Sequence, residues 1–130
     1  MNFEIKREDW ADFFETLSRR RYEWKTRIEI LNTDIGDQVL TEGLPLNGFT
    51  VEIAGDRTHS IDISVGENID AHQTHTISNP TKVAFLAAEE NRGDVIDIEE
   101  EDGTKTLITF IEPMGIWVGY IEVDIAAVAV

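Results

Sequence analysis

The chain has 130 residues, no cysteine and a formal net charge of −15. A chain of this length can bury one hydrophobic core without staples, so the sequence predicts a single domain over residues 1–130. The absence of cysteine excludes disulfides, thiolate nucleophiles and thiolate metal sites.

The charge is distributed unevenly along the chain. Residues 1–30 carry seven Lys or Arg against seven Asp or Glu, whereas residues 31–130 carry four against nineteen. A negative field repels phosphate backbones and anionic lipid, so neither nucleic acid nor a membrane surface is an expected partner. Solubility, or a salty cytoplasm, explains the excess most simply, and a dedicated basic partner is the alternative. The first residues also lack the apolar run of a secretory signal, so the expected location is the cytoplasm.

The first predicted element is an amphipathic helix over about residues 7–20. Four large apolar side chains fall at positions i, i+3, i+4 and i+7 and therefore share one stripe: Trp10, Phe13, Phe14 and Leu17. Acidic residues occupy the early turns and three arginines follow, which complements the helix dipole. A stripe of this kind has to be buried, and the expected partner is a sheet.

From Lys25 onward the hydrophobic period changes from 3.6 to 2, which predicts an antiparallel meander. The predicted strands span residues 26–31, 37–41, 48–54, 58–65, 72–78, 81–87, 94–99 and 104–111, the second of them weakly. Most have one polar face, so one side of the sheet is expected to meet water. The last is apolar on both faces, which predicts a central strand buried on both sides. Pro45 and Gly48 are interpreted as the entry into the strand at 48–54, with the proline stopping pairing.

The C-terminal residues 115–130 form the longest apolar run, interrupted by Glu122 and Asp124 and too short for a membrane-spanning helix. Alternation around these two acids predicts another strand. An apolar terminus in water favours aggregation, so the segment is expected either to complete the sheet or to pair with a second subunit.

The stretch from His72 to Pro80 holds two of the three histidines. In a helix His72 and His75 could share a metal, but in a strand their odd separation sends them to opposite faces. His75 shares the face of Ile77, where a hydrogen-bonded core histidine is the commoner outcome, and His72 is a candidate rim residue beside the loop 66–71. The candidate site residues are therefore His75, His72 and Asp62.

Asp62 is included because a hairpin closed by that loop pairs positions whose numbers sum to about 137, which sets Asp62 opposite His75. A slip of one residue moves it off that face. The chain has no nucleophile elbow, phosphate loop or dinucleotide glycine pattern. The acidic runs Glu89-Glu90 and Glu99–Asp102 lack the spacing of a calcium loop and are interpreted as solvated hairpin tips, so no metal and no cofactor are expected.

Several short motifs occur together in a fixed order. These are Trp10-x-x-Phe13-Phe14, Leu44-Pro-Leu46-x-Gly48, His72-x-x-His75-x-Ile77-x-x-Pro80, and Asp102-Gly103 before a Thr-Leu-Ile strand. The set resembles a bacterial family of small stand-alone proteins catalogued only as a domain of unknown function. The resemblance covers residues 3 to about 112, and it implies a small cytoplasmic protein without an established activity, cofactor or catalytic residue.

The predicted fold class is α+β, mainly β: an N-terminal amphipathic helix packed on a bent antiparallel meander sheet or partly open barrel of about seven to nine strands. The leading functional hypothesis is a non-enzymatic binding or interaction module. Such a module would hold a small-molecule ligand in the sheet concavity, or self-associate as a homodimer through the C-terminal segment. The competing hypothesis is a small enzyme or metal-binding protein centred on His72 or His75 with a carboxylate such as Asp62 or Asp70. A purely structural acidic protein is a third.

Overall fold

The computed structural model describes residues 2–55, 57–68, 70–88 and 93–111. The elements in chain order are β1 (Asn2–Ile5), a 3-10 turn (Arg7–Asp9), α1 (Trp10–Arg20), β2 (Lys25–Asn32), β3 (Gly36–Ala54), β4 (Arg57–Gly66), β5 (His72–Ser78), β6 (Pro80–Leu86), β7 (Val95–Glu100) and β8 (Lys105–Ile111). The strand predicted at residues 115–130 lies outside the described residues. No helix in the described ranges has the length and apolar character needed to cross a bilayer.

α1 forms where the apolar stripe predicts it, and all four stripe residues are buried. The indole Nε1 of Trp10 donates a hydrogen bond to the carbonyl of Ile5 over 2.9 Å, which fixes the start of the helix against β1. At the other end the amide of Arg21 still bonds to Leu17, and Glu23 then takes a left-handed φ of 67° that ends the helical path. The helix is thereby held at both ends, and its stripe faces the sheet.

In the described part of the chain the strands form one eight-stranded antiparallel sheet in the order β1-β6-β7-β8-β2-β3-β4-β5, and this sheet does not close into a barrel. Two meanders, β2 to β5 and β6 to β8, meet where β8 pairs with β2. The α+β, mainly β architecture is as predicted, but β1 is an additional strand. Its four residues are too few to display a period of 2, although Phe3 and Ile5 pair with Phe85 and Val83 of β6.

β3 corrects the prediction of two separate strands at 37–41 and 48–54. It runs continuously for 19 residues and pairs first with β2 and then with β4. Register shifts leave Leu40, Gly43 and Asn47 as extra residues, and each such bulge bends the strand. Pro45 does not stop pairing, since it lies opposite Lys25 within the ladder. The bends turn the second half of the sheet over the first.

The core lies between the concave inner face of the bent sheet and α1. The inner side chains of β4, β5 and β7 include Ile61, Ile77 and Ile98, each with no exposed surface. β8 runs centrally, as predicted, but only one of its faces is buried. On its outer face Leu107 is half-buried and Ile111 is 39% exposed, because no described element covers that side.

A buried ion pair ties the end of α1 to the start of β7. The guanidinium of Arg21 donates to the carboxylate of Asp94, and neither side chain is more than 3% exposed. Arg21 also lies over the ring of Trp24, 4.2 Å from the ring centroid, and Asp94 accepts a second bond from the amide of Ala88. These contacts fix the segments that flank the core at this end.

Candidate functional site

The three candidate residues lie on the β4–β5 hairpin, on two different faces. His75 is paired with Ile63, whose side chain is fully buried on the inner face. His72 is paired with Gly66 and is exposed on the outer face. The histidines therefore lie on opposite faces, as strand parity predicts, and they do not converge on one metal.

Asp62 lies opposite Thr76, so the paired positions sum to 138 and the predicted register is wrong by one residue. Asp62 is consequently on the outer face, while His75 is on the inner face. Its Oδ1 atom is buried without a hydrogen-bond partner in the described part of the chain. Asp62 still acts on His75 through its charge, but the two side chains lie on opposite faces and do not form a pair of a base and its orienting carboxylate.

His75 lines a cavity of about 160 Å³ between the two halves of the bent sheet. The hairpin β2–β3 provides one wall and the hairpin β4–β5 the other, and the lining residues are Ile28, Leu40, Thr41, Ile63, Val65, Gln73, Thr74 and His75. We call this space the His75 cleft. Leu40 reaches it because it is the extra residue of a bulge, and bulges commonly re-aim a side chain beside a site.

The imidazole of His75 has an unusual environment for a polar group. Its Nε2 atom is buried and has no hydrogen-bond partner among the described residues. Burial lowers the pKa of His75 below its ordinary value of 6.5, and the charge of Asp62 opposes part of that shift. Burial therefore favours the neutral form of His75, and its Nε2 makes no hydrogen bond within the described residues.

His72 belongs to a separate and wider opening on the outer face. Its Nε2 is hydrogen-bonded to the hydroxyl of Ser64, and it lines an open cleft of about 610 Å³. The other lining residues are Tyr22, Asn47, Gly66, Glu67 and Asn68. We call this space the His72 cleft. His72 lies beside the loop that follows β4, which is the rim position that the sequence suggests for it.

Sequence reasoning missed Asn47, which lies between Pro45 and Gly48 in the stretch interpreted as the entry into a strand. In the amide orientation that satisfies both groups, Asn47 donates to the carbonyl of Gly66 over 3.1 Å and accepts from its amide over 3.2 Å. An Asn before a Gly is so common in turns that the pattern gives no signal of this contact. Asn68 closes the same loop, since its Oδ1 accepts from the amides of Asp70 and Ala71.

The acidic run Glu99–Asp102 spans the end of β7 and the turn that follows it. At the β7–β8 turn, Asp102 is exposed and accepts from the amide of Thr104 over 2.9 Å. Glu100 is half-buried, which raises its pKa, and accepts from the amide of Ser78. Glu89 and Glu90 lie outside the described residues. Within the described ranges no three His, Cys, Asp or Glu side chains come together to hold a metal.

The fold and clefts define a small α+β protein built on an open, bent antiparallel sheet. The chain belongs to the Family of unknown function (DUF5335), whose family model matches residues 1–116. It is also 26% identical over 104 residues to an uncharacterized protein of Aquifex aeolicus (strain VF5), which covers 80% of this chain and 86% of that protein. No solved structure matches the chain.

Proposed function

We propose that the protein is a binding module that holds one small, largely apolar molecule in the His75 cleft. The observation that carries the proposal is the buried Nε2 of His75, which lacks a partner among the described residues and belongs to a side chain lining an apolar cavity. A buried polar atom without a hydrogen bond costs about 1–3 kcal/mol, and a ligand in the cleft recovers this cost when the imidazole turns its Nε2 towards the cavity.

The size of the cleft limits the ligand to about one ring. A cavity of about 150 Å³ lined by aliphatic side chains is known to hold benzene, and the His75 cleft measures about 160 Å³. Ile28, Leu40, Ile63 and Val65 supply an apolar lining on both walls. The expected ligand is therefore a ring or short branched chain with one hydrogen-bonding group directed at His75.

Charge further restricts the ligand class. The protein carries a formal charge of −15, which disfavours an anionic ligand. The Nε2 of a neutral His75 accepts a hydrogen bond in one tautomer and donates one in the other, so a hydroxyl group suits both tautomers. A neutral alcohol or phenol fits these requirements best.

The test is a titration of the full chain with phenol, followed through the ring resonances of the three histidines. We expect the His75 ring to shift while His59 and His72 stay unchanged, with a dissociation constant of about 1 mM for a ligand of this size. Toluene has the same shape without the hydroxyl, and we expect it to bind about tenfold more weakly because it leaves Nε2 without a partner.

Substitution of His75 tests whether phenol binds in the His75 cleft or on another apolar surface. His75→Leu should remove the preference for phenol over toluene, whereas His59→Leu, on the exposed side of β4, should leave it intact. Equal phenol affinity in His75→Leu and the parent chain, or a larger shift at His59 than at His75, would contradict the proposal.

A further inference from the structure

The His72 cleft is independent of the His75 cleft, because it lies on the other face of β5 and shares none of its lining residues. The backbone at its base is held by side-chain hydrogen bonds. Asn47 bonds to both backbone groups of Gly66, and Asn68 accepts from the amides of Asp70 and Ala71. These bonds order the backbone of the loop before a ligand binds, which lowers the entropy cost of binding.

Several functional groups of the cleft are left without internal partners. Within the described part of the chain, the carboxylate of Glu67, the hydroxyl of Tyr22 and the Nδ2 of Asn68 make no hydrogen bond. Tyr22 is 57% exposed, so one aromatic ring is offered to solvent at the edge of the cleft. The cleft thus combines an aromatic ring with a carboxylate acceptor.

The charge of the surroundings selects one sign of ligand. Among the described residues that line the cleft, none is Lys or Arg, and Glu67 supplies a negative charge. Residues 31–130 carry nineteen acidic residues against four basic ones, so their field attracts cations, although Arg19, Arg20 and Arg21 directly precede Tyr22 and oppose part of this attraction. An aromatic ring beside a carboxylate is a favourable arrangement for a planar cation, which can stack on the ring and bond to both carboxylate oxygens.

We propose that the His72 cleft binds a guanidinium group, stacked on Tyr22 and paired with Glu67. The group belongs either to a small free guanidinium compound or to an arginine side chain of a partner protein. Guanidinium is preferred over ammonium because it is planar and forms two parallel bonds to one carboxylate.

The probe is ethylguanidinium chloride, added to the full chain at low salt and followed by amide chemical shifts. We expect the largest shifts at Tyr22 and in the loop 66–68, with a dissociation constant of about 5 mM, since an exposed ion pair and a cation–π contact are each weak. N-ethylurea has the same shape without the charge and should cause no saturable shift. If a peptide with two arginines binds about tenfold more tightly than ethylguanidinium, the guanidinium group that the cleft recognises belongs to an arginine side chain of a partner protein.

Two substitutions distinguish local recognition from bulk charge. Glu67→Gln should weaken ethylguanidinium binding about fivefold, whereas Glu15→Gln on the exposed side of α1 removes the same charge and should have no effect. Tyr22→Leu should weaken binding about threefold by removing the ring. Saturable binding of N-ethylurea, equal effects of the two Glu→Gln changes, or no saturable shift with ethylguanidinium would overturn the proposal.

Discussion

At the scale of single residues, His75 links the fold to pH. Because burial lowers its pKa below 6.5, the unfolded chain takes up a proton at this residue before the folded chain does. The free energy of unfolding should therefore fall as pH drops below 6.5, and this contribution should stop falling once pH has passed the folded pKa. Asp97 and Glu100 act in the opposite direction, because burial raises the pKa of each carboxyl.

The contribution of His75 is isolated by comparing the parent chain with His75→Gln in urea unfolding at pH 7.5, 6.5 and 5.5. The two acids contribute equally to both proteins, so the difference in stability between them should change with pH only below about 6.5. A constant difference across the three pH values would show that the folded protein does not disfavour the charged imidazole.

A second prediction compares two ion pairs. The pair of Arg21 and Asp94 is buried, whereas the pair of Arg57 and Glu101 is exposed. Asp94→Asn removes the carboxylate charge that faces the buried guanidinium of Arg21 and should lower the free energy of unfolding by about 3 kcal/mol. Glu101→Gln breaks the pair with Arg57, in which both side chains are more than 60% exposed, and should cost less than about 0.5 kcal/mol. Chemical denaturation measures the free energy of unfolding of both variants. Similar losses in Asp94→Asn and Glu101→Gln would contradict the difference in burial between the two ion pairs.

At the scale of elements, the β4–β5 hairpin depends on one glycine. Gly66 has φ of 151°, and a Cβ atom added there would lie 2.2 Å from the carbonyl oxygen of Ala71. Gly66→Ala should therefore cost about 3 kcal/mol or more, since the obstacle is backbone. Gly36→Ala is the matched control: its φ of 81° is also left-handed but no atom lies within 4 Å, so the expected cost is about 1 kcal/mol.

The outcome for Gly66→Ala is measured by thermal or urea unfolding of both variants. Equal destabilisation would mean that the loop 66–71 adjusts to a methyl group. In a folded Gly66→Ala protein we also expect the ring resonances of His72 to differ from those of the parent chain, because Gly66 forms the base of the His72 cleft.

The hairpin also shows what sequence patterns can and cannot determine. The period of 2 placed His75 with Ile77 and His72 on the other side. The register of Asp62 could not be derived, because a shift of one residue changes its face and the loop chemistry leaves that choice open. β3 escaped prediction as one strand because Pro45 and Gly48 usually interrupt strands, whereas here Pro45 pairs with Lys25 and Gly48 pairs with Ser64 directly after the bulge at Asn47. The His75 cleft depends on how far β3 bends, which no local pattern encodes.

At the scale of the whole molecule, the charge of −15 opposes the compact state by self-repulsion. Raising NaCl from about 50 to 500 mM shortens the screening length several-fold and should raise the melting temperature by about 5 °C. A double variant with Glu15→Lys and Glu52→Lys, both at exposed positions, should show a smaller increment. An unchanged or falling melting temperature with salt would show that repulsion between these charges does not significantly destabilise the folded protein.

The central claim is that the bent sheet holds a ligand between its two halves at His75. The most direct measurement is the set of intermolecular NOEs from phenol ring protons to assigned methyl groups of the full chain. The account predicts NOEs to Leu40 on one wall and to Ile63 and Val65 on the other at the same time. NOEs confined to one wall, or found only at exposed apolar residues elsewhere such as Ile53, would contradict it.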